Sequence, residues 1–108
     1  MTRSRNPESI LTEQLKSLLR IMHIFFWKNW SGTFSQKGIP DLLGVLPGGR
    51  AMLIEVKTPT GRVSPEQEDF LARAREAGAV AFVARSPRDL ILGLREAGVV
   101  EAKRINLF

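Results

Sequence analysis

Cysteine is absent from the 108 residues, and histidine occurs once. Without cysteine there is no disulfide frame, no thiolate nucleophile and no Cys-ligated zinc, a set of absences that fits a reducing compartment. A histidine-based metal centre needs more than the single His23. A Ser-His-Asp hydrolase would also depend on His23, which lies between Met22 and Ile24, where a structural role is the simpler reading. Hydrolysis by this chain must therefore rest on carboxylates, acting through a divalent cation. Long apolar runs are missing too. No segment approaches membrane-spanning length, and the basic start, residues 1–6, leads into an amphipathic stretch with Glu13, Gln14 and Lys16 instead of an apolar signal core. These features predict a cytoplasmic protein.

Charge of one sign predominates. Sixteen Lys and Arg against eleven Asp and Glu give a formal charge of +5, which favours an anionic partner such as nucleic acid. The basic residues are spread along the whole chain, so a folded surface and not a disordered tail would bind it. The length suits one compact domain, residues 1–108, without repeats or low-complexity segments.

Asn6-Pro7, Ser64-Pro65 and Ser86-Pro87 each place an N-cap residue before a proline at the first helical position. They predict helices over Pro7–Met22, Pro65–Ala77 with Gly78 as the stop, and Pro87–Ala97 with Gly98. Strand-like runs fall at His23–Asn29, Ile39–Leu46, Ala51–Lys57 and Ala79–Ala84. The expected order is αβββαβα, an α/β domain with a mixed sheet flanked by helices. Pro47-Gly48-Gly49 would close a hairpin, and the second helix would be a crossover making the third and fourth strands parallel.

The run Ala51-Met52-Leu53-Ile54-Glu55-Val56-Lys57 reads as a buried strand, yet it carries a carboxylate and an ammonium two positions apart, on one face. Charges there are either a structural ion pair or a site. Asp41, at the start of the preceding strand, bears on the choice. If the hairpin loop is the three residues Pro47 to Gly49, Leu46 pairs with Arg50 and Asp41 falls opposite Glu55. A two-residue loop would instead set Asp41 against Val56, on the wrong face. Two convergent carboxylates suit a hard cation such as Mg²⁺ or Mn²⁺, with Lys57 beside an attacking water or the phosphate. Helix geometry adds Glu8, about 60° from Leu11 on the stripe of Leu11, Leu15, Leu18 and Met22, whereas Glu13 points roughly 160° away. Its alternative is a first-turn acid favoured by the helix dipole.

The ordered set Gly38-Ile39-Pro40-Asp41, Glu55-Val56-Lys57 and Ser64-Pro65-Glu66-Gln67 resembles the VRR-NUC branch of the PD-(D/E)XK nucleases. The likeness extends from Glu8 to about Ser86. It implies a metal-dependent phosphodiesterase fold related to archaeal Holliday junction resolvases, with Asp41 and Glu55 as metal ligands and Lys57 as the catalytic lysine. It further implies a metal contact from the Val56 backbone carbonyl, a match between Glu8 and the family's helical acid, and a glutamine near the site at Gln67. Read from the residues alone, Gln67 closes a capping box with Ser64, and the two roles are compatible.

Lys28, Lys37, Arg50 and Arg62 fall in or beside loops around these residues and are candidates for phosphate contacts, with solvated surface charge as the alternative. No segment resembles a base-reading helix, so recognition of DNA by shape is expected. The leading expectation is a two-fold homodimer that resolves four-way junctions in a bacterial or phage-infected cell, with Phe25-Phe26-Trp27 and Ile105-Asn106-Leu107-Phe108 as candidate interface surface. Cleavage of flaps, nicks or single strands, or DNA binding without catalysis, are the alternatives.

Overall fold

The computed structural model describes residues 6–30 and 36–107. Eight elements follow one another: α1 (Pro7–Ile21), β1 (Phe25–Lys28), β2 (Leu42–Val45), β3 (Ala51–Val56), α2 (Pro65–Glu76), β4 (Val80–Ala84), α3 (Pro87–Glu96) and α4 (Val100–Lys103). The caps behave as their sequences require. Asn6 Oδ1 accepts from the Ser9 N–H at 2.8 Å, and Ser64 and Ser86 accept from Gln67 and Asp89 at 3.1 Å each.

The sheet has the order β1-β2-β3-β4, with antiparallel pairs except for the parallel pair β3 and β4. In the β2–β3 hairpin Leu42 faces Ile54 and Val45 faces Ala51. Leu46 N–H then donates to Arg50 O at 2.8 Å, which leaves a three-residue loop. Gly48 and Gly49 turn it with φ near +96° and +97°, values that other residues adopt only under strain. The same register carries Asp41 opposite Glu55.

α1 and α3 pack on each other and on one face of the sheet, where the Phe82 ring occupies the space a side chain at Gly93 would need. Leu15, Leu19, Leu42, Ile54, Leu90 and Leu94 are completely buried there, each worth about 1.5–3 kcal/mol of apolar burial. α2 covers the other face but touches only β3 and β4. Phe25, Trp27 and Val45, on the β1–β2 half, therefore remain exposed.

Four details differ from expectation. β1 begins at Phe25 and not His23, because His23 is an exposed residue at φ +56° that ends α1, its N–H donating to Arg20 O. β2 begins at Leu42 and not Ile39, since Pro40 has no N–H to give a ladder. A short helix, α4, follows α3 with no side-chain cap to announce it. The terminal segment is partly covered: Ile105 and Leu107, expected as interface surface, lie half-buried against the core, and Arg95 donates to the carbonyls of Ala102 and Ile105. Phe108 and the basic start at residues 1–5 lie outside the described residues. Among the described residues no helix is long and apolar enough to cross a membrane.

Candidate active site

The end of β3 carries a buried acid. Glu55 lies on the α2 face, opposite Val83 of β4, and is only 2 % exposed. Its Oε2 accepts from Gln67 Nε2 at 3.0 Å and lies 3.6 Å from Lys57 Nζ. Its Oε1 is buried and, among the described residues, has no hydrogen-bond partner. An orphaned carboxylate oxygen is costly unless something cationic meets it. Burial first, and then the negative charge of Asp41, push the Glu55 carboxyl up to about 8; Lys57 pulls the other way.

Asp41 sits where β2 and β3 part. Its Oδ2 accepts from the Val56 N–H at 2.8 Å, and its carbonyl accepts from Asn29 N–H at 2.8 Å, so strands on both sides fix it. Gly38 sets the approach: a Cβ there would come within 2.5 Å of Glu66 O, so the chain lies directly on the first turn of α2. That turn holds Gln67, which has both of its expected roles. Its Oε1 accepts from the Ser64 N–H at 2.9 Å while its Nε2 reaches Glu55.

Asp41, Glu55, Lys57 and Gln67 are thus brought together. Glu8 is exposed and lines an open cleft of about 270 Å³ with Thr12, Lys28 and Asp41. It shares that cleft with Asp41, and among the described residues no three His, Cys, Asp or Glu side chains form one metal-holding group. Glu13, expected to face solvent, is exposed, paired with Lys16 at 3.1 Å on the rim of the same cleft. The rim of that cleft reaches one residue beyond Thr12, past the apolar stripe.

Of the four basic candidates, Lys28 borders the cleft and lies over the Trp30 ring at 5.2 Å. Lys37 is exposed beside Gly38, and Arg62 is exposed in the β3–α2 loop. Arg50 is misplaced by the sequence reading. It stands at the opposite end of β3 from Glu55, roughly 16 Å along the strand at 3.3 Å per residue, and donates to Ala97 O at the end of α3. Arg85, by contrast, was not singled out. Its Nη1 donates to Thr58 O and Gly61 O at 2.7 Å each, tethering the loop after Lys57. Nothing in the local sequence signals so distant a contact.

The donor set fits a hard divalent cation: two adjacent carboxylates, one with an unpartnered buried oxygen, beside a lysine that is not itself a donor to metal. The model of the VRR-NUC domain matches residues 4–88. The chain belongs to the VRR-NUC family. A solved structure described as a VRR_NUC domain protein shares the fold, with a TM-score of 0.66 and 15 % identity over 93 % of this chain and 92 % of that one. No curated protein matches the sequence. VRR-NUC domains are nuclease domains, so Asp41, Glu55, Lys57 and Gln67 stand together on a nuclease-type fold.

Proposed function

We propose that the chain is a metal-dependent endodeoxyribonuclease of PD-(D/E)XK type that recognises branched DNA by shape and resolves four-way junctions as a homodimer. The observation that carries the reading is the buried, unpartnered Oε1 of Glu55, a carboxyl that has Asp41 and Lys57 as its charged neighbours. Asp41, Glu55 and the Val56 carbonyl would hold Mg²⁺ or Mn²⁺, and the bound cation supplies an activated water and charge neutralisation at the phosphate. Glu8, across the cleft, would contribute through water. Lys57 holds its positive charge beside the carboxylates, where it stabilises negative charge developing on the phosphate or lowers the pKa of the attacking water. Gln67 orients Glu55 from the start of α2. Lys28, Lys37 and Arg62 would take backbone phosphates, which fixes orientation without reading sequence.

The test is a panel of labelled junction, fork, flap, nicked and single-stranded DNAs incubated with Mg²⁺ or Mn²⁺. Junctions should be cut in two opposed strands. Asp41→Asn and Glu55→Gln should each lower cleavage at least about a thousandfold while keeping the circular dichroism and DNA affinity of the parent, since each removes a ligand charge without changing shape. Parental cleavage by either variant would reject the metal site. Preference for flaps or single strands would reject the junction reading alone.

A further inference from the structure

We propose that Pro40 is a positioning residue whose missing N–H keeps the Val56 carbonyl free of the β-ladder and open to a divalent cation. This rests on the metal-dependent reading above and explains how the fold frees that carbonyl. In an antiparallel pair every second residue pair exchanges two N–H···O bonds. The bond from Leu46 N–H to Arg50 O fixes which pairs these are: 46 with 50, 44 with 52 and 42 with 54. Extended by one step, the next such pair is Pro40 with Val56. Neither of its two bonds forms as the ladder would have it. Proline has no N–H to give the Val56 carbonyl. The Val56 N–H, in turn, donates to Asp41 Oδ2 at 2.8 Å.

The opposite strand offers the Val56 carbonyl no substitute. Lys57 N–H donates to Ala84 O at 3.1 Å, so the backbone groups of Glu55 and Lys57 face β4 and those of Val56 face β2. Val56 is fully buried, and Pro40 is among the fully buried side chains. A buried carbonyl facing a proline lacks the donor that ordinary pairing supplies. An oxygen-seeking cation beside Asp41 and Glu55 would meet it.

Calorimetric titration with Mn²⁺ of the parent, Pro40→Ala and a semisynthetic protein with N-methylalanine at position 40 tests this. Alanine restores the donor; N-methylalanine removes the ring but still has no N–H. Pro40→Ala should bind Mn²⁺ at least about tenfold more weakly, and N-methylalanine should bind within about threefold of the parent. In Pro40→Ala the residue 40 amide should be protected from hydrogen exchange in metal-free protein and lose protection as Mg²⁺ is added. Pro47→Ala, in the hairpin loop, should bind as the parent does. Equal affinity in parent and Pro40→Ala overturns the role of Pro40, as does equal weakening by alanine and N-methylalanine, which would assign the effect to ring packing. A parent that binds neither cation would instead reject the metal-dependent reading itself.

Discussion

Glu55 keeps its proton well above the usual carboxylate range because burial and the neighbouring Asp41 both oppose its charge. That sets the sign of a pH effect. Between the ordinary value of 4.5 and about 8, the folded protein holds a proton that the unfolded chain has released. The unfolded state then binds fewer protons, so stability of the metal-free protein falls as pH rises through this window and levels off above it. Thermal melts in the presence of a chelator from pH 4 to 9 should show this decline, and Glu55→Gln should flatten it. On the proposed metal-dependent reading Mn²⁺ would replace the proton, so the rise in Tm on adding it should grow with pH. A parent and a Glu55→Gln variant with identical pH profiles would show that Glu55 does not titrate as described.

α2 acts on the site as an element, because its first turn both caps itself and holds Glu55. Gln67→Ala removes the returned cap bond and the bond to Glu55, and should cost about 1 kcal/mol of stability in urea melts along with activity. Gln67→Glu preserves an acceptor for Ser64 N–H but sets a carboxylate against Glu55, so it should keep most of the cap while lowering cleavage. Loss of stability without loss of activity in both variants would reduce Gln67 to a cap. The same turn receives Gly38. At φ +87°, and with Glu66 O 2.5 Å from where a Cβ would stand, Gly38→Ala must push the segment leading to Asp41 off α2. We expect about 1–3 kcal/mol of destabilisation and a loss of cleavage greater than the unfolded fraction explains.

Across the whole molecule, α2 leaves half of one sheet face open, with Phe25 69 % and Trp27 46 % exposed along the edge strand β1. With Ile105 and Leu107 half-buried against the core, this more exposed face is the stronger candidate for a two-fold contact. Light scattering at micromolar concentration should give twice the chain mass. Trp27→Glu should give a monomer of unchanged Tm that nicks a cruciform plasmid but does not linearise it. A parental monomer that linearises the plasmid would sink the dimer.

Local rules made much of this protein legible from its sequence. Three Asn/Ser-Pro starts set the main helices, and alternation along Ala51–Lys57 put Glu55 and Lys57 on one face, because caps and strand parity act over a few residues. The hairpin loop carried two registers on paper, and only the folded pairing chose the one that sets Asp41 against Glu55. Distant contacts decided the rest. The reach of Arg85 to the loop after Lys57, the tie of Arg50 to Ala97 and the partial burial of Ile105 and Leu107 depend on elements far apart in the chain. The proton held by Glu55 belongs with them: an isolated strand would leave that carboxylate in water, and it is the packing of α2 and Asp41 around it that makes its charge costly.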